Sequence, residues 1–242
     1  MPMLDLLARL AEFEADIHYK TPPPAGERDF GYAFGRLPIL LSAPHGAAHQ
    51  RNGRLKAEDD FTAGMVRLVA EQTGAHAVYL RSRSSVDANF DGGVPYKQFL
   101  AGIVRRYRIR FVLDVHGAAA YRDFGLALGT LNGASCPHER ALILSVLDQY
   151  GVREDAPWLR RLDLDDTFSG MGVAGQETIT RFVSQRLRVP AAQLEINAHL
   201  RVPRRQPDAS ERDPFQGDPA GIERTLEMLA ALVRALVRFR KP

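Results

Sequence analysis

Short apolar segments of strand length alternate with helical segments along the chain, and this alternation restricts the possible folds more than any other feature. The segments that read as strands are 37–43, 75–83, 110–117, 124–133 and 191–197. Long apolar runs are typical of strands that are buried on both faces of a sheet. The segments that read as helices are 1–20, 61–74, 96–108, 137–151, 176–189 and 220–240. We therefore predict one α/β domain over residues 1–242, with a mostly parallel, mixed sheet and helices on both faces.

The composition gives no sign of a membrane or nucleic-acid partner. No segment approaches the roughly 18–20 uninterrupted apolar residues of a membrane-spanning helix. The net charge is +3, and the arginines that supply it are scattered among acids, which is a weak signal for nucleic acid. Residues 1–20 lack the basic start of a signal peptide, and the single Cys136 cannot form an internal disulfide. We therefore expect a cytoplasmic protein.

Three of the apolar strands end in a residue that can bind a metal or transfer a proton, namely His45, His116 and Glu195. The carboxyl ends of parallel strands meet at one edge of a sheet, where α/β proteins bind their ligands. A catalytic zinc ion commonly has two histidines and a carboxylate as ligands and one open position. The sequence thus predicts a metal site with His45 and His116 as ligands, and with Glu195 as general base.

The third ligand is less clearly marked. Glu58, Asp59 and Asp60 follow His45 and precede a predicted helix, so one of them could return to the metal. Acids at that place are also favoured by the helix dipole alone. Asp114 is either a hydrogen-bonding partner of a metal ligand or a turn residue. The remaining histidines are not at strand ends, and we expect them in packing or surface positions: His49, His76, His138 and His199.

Polar residues also follow two of the predicted strands. Arg83 could stabilise an oxyanion or bind a substrate carboxylate, and Arg201 is a second candidate for a carboxylate contact. Asp87 and Asn89 either contact the substrate or form Asx-turns. The glycine-rich segment 168–178 is a candidate active-site loop. It lacks the strand–glycine–helix context of a phosphate-binding loop, so we do not interpret it as a nucleotide site.

An ordered set of motifs spans residues 37–201 and resembles the N-formylglutamate amidohydrolase family, which is related in fold and site to zinc carboxypeptidases and aspartoacylases. The motifs are Ser42-Ala-Pro-His45-Gly46, Glu58-Asp59 with Thr62, Arg83 with Asp87 and Asn89, Asp114-Val-His116-Gly117, Gly129-Thr130 and Gln193-Leu-Glu195-Ile-Asn197. Each motif alone is a weak signal, whereas the ordered set is fairly specific.

The resemblance implies a zinc-carboxypeptidase-like fold and one Zn²⁺ per chain, held by His45, Glu58 and His116. It also implies that Glu195 activates water and that Arg83 and Arg201 contact the substrate carboxylates. The implied reaction is hydrolysis of N-formyl-L-glutamate to formate and L-glutamate, a late step of histidine breakdown. Because the carboxylate is far from His45 in the chain and is followed by two more acids, Asp59 or Asp60 could replace Glu58.

One departure from the family affects the expected substrate. Many relatives have Asn-Arg where this chain has Asn89-Phe90, which removes one expected cationic contact. The partner we expect is a small acidic N-acyl amino acid. The alternatives are a zinc carboxypeptidase, a γ-glutamyl peptide hydrolase, and a non-catalytic binding protein of the same fold. The joint presence of two histidines, a carboxylate and Glu195 argues against the last. The acyl group and the oligomeric state are left open.

Overall fold

A mixed β-sheet forms the centre of the molecule. The computed structural model describes residues 3–239, and within this range nine strands are found. They are β1 (Phe30–Ala33), β2 (Ile39–Ala43), β3 (His49–Arg51), β4 (Arg54–Lys56), β5 (His76–Leu80), β6 (Phe111–Ala118), β7 (Leu126–Gly129), β8 (Leu162–Leu164) and β9 (Ala191–Asn197). Seven of them form the central sheet in the order β1-β5-β2-β6-β9-β7-β8, while β3 and β4 form a separate hairpin.

The strands in the middle of the sheet are parallel. β5, β2, β6 and β9 are neighbours that run in one direction, whereas β1 is antiparallel to β5 and β7 is antiparallel to β9. In this register His116 on β6 is directly opposite Glu195 on β9. The predicted mostly parallel, mixed sheet is therefore confirmed, and it brings these two strand ends to one edge.

Six α-helices surround the sheet in the described part of the chain. They are α1 (Met3–Glu14), α2 (Thr62–Thr73), α3 (Pro95–Arg106), α4 (Arg140–Gln149), α5 (Ile179–Arg181) and α6 (Pro219–Arg238). Helices α1, α2 and α6 contact one another, and both α2 and α6 contact β2. On the same strand, the hydroxyl of Ser42 lies 3.1 Å from that of Tyr96 in α3. None of the helices within residues 3–239 has the length and apolarity needed to cross a bilayer.

The structure differs from the sequence-based expectation in four segments, the first of which is β1, an edge strand that was not among the predicted strands. The predicted helix at 176–189 consists of α5 followed by a π-helical segment, Phe182–Leu187. The hairpin of β3 and β4 was not predicted, although Asn52 and Gly53 between the two strands have the positive φ angles of a tight hairpin turn. β8 was not predicted either, because its three residues are too few to give a periodic pattern.

A buried carboxylate fixes the beginning of α2. Phe61, which precedes the helix, has a φ of 66°, a left-handed conformation that is unusual for an aromatic residue. Glu14 accepts hydrogen bonds from the backbone N–H of Phe61 (2.8 Å) and of Gly64 (2.6 Å). A Cβ on Gly64 would lie 2.6 Å from the Glu14 carboxylate, so a larger residue there would displace this carboxylate. Glu14 thus holds the end of the loop that carries Asp59.

Candidate metal centre

Three side chains at the carboxyl edge of the sheet converge on one point. The Nδ1 atoms of His45 and His116 are 3.1 Å apart, and each is 3.4 Å from Oδ2 of Asp59. A tetrahedral zinc ion with bonds of about 2.0–2.1 Å keeps its ligand atoms about 3.3 Å apart. The three atoms therefore already have the spacing and the chemistry of a zinc ligand set.

Through its Nε2 atom, each histidine of this group forms a hydrogen bond with a further carboxylate. Nε2 of His45 is 2.9 Å from Oδ1 of Asp87, and Nε2 of His116 is 2.9 Å from Oδ2 of Asp114. Such a carboxylate keeps the proton on Nε2 and leaves the Nδ1 lone pair available to a metal. Asp114 is therefore the partner of a metal-ligand candidate. Asp87 has the same position behind His45, which differs from the substrate contact we expected.

The electrostatics of the group favour a bound cation. Burial alone would lower the pKa of His45, but the carboxylates of Asp87 and Asp59 outweigh burial and raise this pKa to about 9. Burial also opposes protonation of His116, yet Asp114 and Asp59 raise its pKa well above the usual range. The pKa of Asp59 is lowered by the two imidazoles although burial works against this. The negative potential that stabilises protons on these imidazoles also stabilises a divalent ion between them.

The acid that faces the histidines is Asp59, whereas Glu58 was the expected ligand. Glu58 is directed elsewhere, because its two oxygens accept hydrogen bonds from the backbone N–H and the hydroxyl of Ser210, both at 2.6 Å. Asp60 is also engaged, in a buried ion pair with Arg201. The backbone N–H of Asp59 donates to the carbonyl of His45 at 2.8 Å, which brings only the middle acid to the site.

A second group of potential ligands shares His45 with the first. It consists of His45, His49 and Asp87, and the rings of the two histidines are stacked with their centroids 4.1 Å apart. However, the guanidinium of Arg51 donates through Nε to Oδ2 of Asp87. A cation already pairs with this carboxylate, which disfavours a metal there, so the group around Asp59 is the candidate metal centre. His49 is buried next to the site, as a packing residue would be.

A cavity of about 450 Å³ opens from the metal centre. Glu195 lines it beside the histidines, and one of its carboxylate oxygens accepts a hydrogen bond from the Gln193 amide at 2.8 Å. Burial raises the pKa of Glu195 to about 7, against the opposing effect of His116. The glycine-rich segment 168–178 contributes several residues to the cavity wall. Asn89 also lines the cavity, and its side chain accepts a hydrogen bond from the backbone N–H of Ile179.

The two arginines expected to contact substrate are not among the residues that line this cavity. Arg201 is buried, and besides its ion pair with Asp60 it donates through Nε to the carbonyl of Ile196 at 3.1 Å. Its guanidinium packs so closely on Gly117 that a Cβ there would lie 2.6 Å from Cζ, which explains the glycine after His116. Arg83 borders a different depression, together with residues 22–30.

Two other arginines, Arg51 and Arg122, line the cavity instead, and sequence analysis missed both. Arg51 is on the hairpin that follows His45, and Arg122 is in the loop that follows β6. The rule that ligands bind beyond the carboxyl ends of strands applies to Arg122, since it is six residues beyond His116. Applied to the loops as well as to the strand ends, this rule could have indicated Arg122.

Comparison with known proteins supports the fold assignment. No protein-family model matches the sequence, and no curated protein matches it. The structure is similar to an N-formylglutamate amidohydrolase from Ralstonia eutropha JMP134, with a TM-score of 0.54 and 15% identity over 86% of this chain and 97% of that one. It is also similar to a protein described as a carboxypeptidase A from Shewanella denitrificans OS-217, with a TM-score of 0.51 and 13% identity over 97% of this chain and 68% of that one.

The class that this fold defines is the carboxypeptidase-like α/β proteins. The resemblance of the sequence motifs to N-formylglutamate amidohydrolases and their carboxypeptidase-like relatives is thereby confirmed at the level of the fold. Within this fold the sheet edge carries a group of two histidines and an aspartate that could hold a metal ion.

Proposed function

We propose that this protein is a zinc-dependent amidohydrolase that cleaves the amide bond of a small N-acyl acidic amino acid. The first candidate substrate is N-formyl-L-glutamate, which would yield formate and L-glutamate. The observation that carries the proposal is the convergence of His45, Asp59 and His116 on one point, with Glu195 in the same cavity. The name of the similar Ralstonia eutropha protein supports this choice of first substrate.

Each residue has a distinct role in this proposal. His45, Asp59 and His116 hold the ion, while Asp87 and Asp114 fix the orientation of the two imidazoles. A zinc ion in such a site supplies Lewis acidity, which acidifies a water molecule and polarises the scissile carbonyl. Glu195 accepts a proton from the attacking water and transfers it to the leaving nitrogen, so that the C–N bond breaks and a carboxylic acid and an amine are released. Gln193 keeps the Glu195 carboxylate in place.

The cavity is suited to a small polar substrate. Its volume of about 450 Å³ is near the lower end of the range typical of small-molecule sites. Of the two arginines on its wall, Arg51 is paired with Asp87, whereas Arg122 can neutralise an anionic ligand. The acidic residues that line the cavity are Asp59, which is a proposed metal ligand, and Glu195, which is the proposed base.

The decisive test is a substrate panel offered to zinc-loaded protein, with release of free amine as the measurement. The panel contains N-formyl-L-glutamate, N-acetyl-L-glutamate, N-formyl-L-leucine, a γ-glutamyl dipeptide and a blocked peptide with a free C-terminus. We expect the N-acyl glutamates to be cleaved fastest, activity to disappear with a chelator, and zinc to restore it. Cleavage of the peptides alone would support the carboxypeptidase or γ-glutamyl hydrolase alternative. No cleavage by protein with measured zinc would refute the proposal.

A further inference from the structure

Arg122 is a positively charged side chain without a counter-ion on the wall of the cavity. Within residues 3–239 its guanidinium forms neither an ion pair nor a hydrogen bond, and its Nε atom is buried without an acceptor. A buried N–H group without a partner costs free energy, so such groups are rare in folded proteins unless a ligand or an ordered water molecule satisfies them. The arrangement therefore indicates a place for an acceptor from outside the chain.

The surroundings of Arg122 fix its position while leaving its N–H groups available. Its guanidinium carbon lies 5.2 Å from the ring centre of Phe168 and 5.5 Å from that of Tyr121. Its backbone carbonyl accepts hydrogen bonds from the Trp158 indole at 2.7 Å and from the Asn197 amide at 3.3 Å. A guanidinium beside aromatic rings keeps its N–H groups free to bind the two oxygens of a carboxylate.

The other arginine of the cavity is already engaged. Arg51 donates to Asp87, which in turn holds His45, and its guanidinium carbon is 5.6 Å from the ring centre of Phe90. Arg122 supplies a cation from a different loop, beyond the strand that carries His116.

We propose that Arg122 binds a carboxylate of the ligand and makes the cavity selective for acidic substrates. Only the identity of that ligand as an N-acyl amino acid rests on the proposed function. The binding of a planar two-oxygen anion rests on Arg122 and its surroundings alone.

The test measures binding rather than turnover, with glutarate and its neutral analogue glutaramide as probes, by calorimetry on zinc-loaded protein. Loss of a hydrogen bond to a charged group typically weakens binding about tenfold or more, and we expect this for glutarate in Arg122→Gln. Glutaramide binding should be unchanged. Arg122→Lys keeps the charge but loses the paired N–H groups, so its affinity for glutarate should lie between that of the unaltered protein and that of Arg122→Gln.

The matched control is Arg161→Gln, because Arg161 is an exposed arginine that pairs with Asp123 next to Arg122 in the chain. It should bind both probes as the unaltered protein does. Unchanged glutarate affinity in Arg122→Gln, or an equal loss for both probes, would overturn the proposal. If Arg122→Gln does not fold, the same comparison in Arg122→Lys decides. If Arg122→Gln selectively loses glutarate binding but the zinc-loaded protein cleaves no amide of the substrate panel, the amidohydrolase function is refuted and the carboxylate site is retained.

Discussion

The cavity has two walls that are built differently. The strand-end wall consists of His45, Asp59 and His116 with the carboxylates behind them, and its histidines and supporting carboxylates are buried and mutually bonded. The loop wall is formed by residues of the loop after β6, such as Arg122, and by residues of segment 167–178, of which Val173 is 65% exposed. Metal ligands must be positioned within fractions of an ångström, which the strand ends and the anchored loop of Asp59 provide, whereas substrate contacts can be altered in loops. We therefore expect the chemistry on the strand-end wall and the selectivity on the loop wall.

The largest effect that tests this division is loss of the metal from the strand-end wall. Asp59→Ala should remove zinc and all amidohydrolase activity, because it deletes a ligand atom 3.4 Å from both histidine nitrogens. Glu58→Ala is the matched control, since Glu58 bonds with Ser210 instead and its loss should leave zinc in place. Zinc is measured by elemental analysis, with thermal denaturation to verify folding. Loss of zinc from Glu58→Ala but not from Asp59→Ala would reverse the assignment.

The next effect separates proton transfer from metal binding. Glu195→Gln keeps the shape of the side chain and should retain zinc and stability. Its kcat should fall on the order of 10²–10⁴-fold, the usual contribution of a positioned acid–base group. Steady-state kinetics together with zinc content give the answer. Normal zinc, normal stability and near-normal turnover would eliminate Glu195 as the proton carrier, while loss of zinc would make it a ligand.

The smallest expected effect on catalysis concerns the contrast between the buried Arg201 and the half-buried Arg122. Arg201→Ala removes the main partner of the buried Asp60 and leaves only Arg205, at 3.7 Å, which costs up to about 3–5 kcal/mol in the free energy of unfolding. Any change in KM should be alike for acidic and neutral substrates, unlike that of Arg122 variants. Arg153→Ala, which breaks an exposed pair with Asp148, should cost only about 0–1 kcal/mol. Urea denaturation measures both. Unchanged stability with a KM effect confined to acidic substrates would return Arg201 to the substrate site.

The sequence was sufficient for the parts of the site that depend on the sheet. A buried strand ends where its apolar run ends, and parallel neighbours must bring their ends together, so His116 and Glu195 were predictable. The choice among Glu58, Asp59 and Asp60 was not, because it depends on partners far away in the chain. Glu58 accepts a hydrogen bond from Ser210 and Asp60 forms an ion pair with Arg201, and no local sequence pattern reveals either contact.

The arginines were harder to predict for a related reason. A guanidinium reaches far from its backbone, so the path of the loop and the nearest carboxylate decide where it binds. Arg201 follows a strand that carries a site residue, yet it turns toward Asp60 and the backbone of Ile196. Arg83 also follows a strand but borders another surface. Position in the chain alone could not distinguish these two from Arg122.

The carboxylate of Glu14 has a practical consequence for anyone who alters this protein. It belongs to α1, yet it accepts the backbone N–H groups of Phe61 and Gly64 just beyond Asp59. A shortened version that begins after α1 would leave these two donors without their acceptor and would loosen the loop that presents Asp59. Random mutagenesis should likewise find inactive variants altered in α1, although none of residues 5–14 is among those that line the cavity. The first helix is thus a poor place to trim or to attach a rigid fusion.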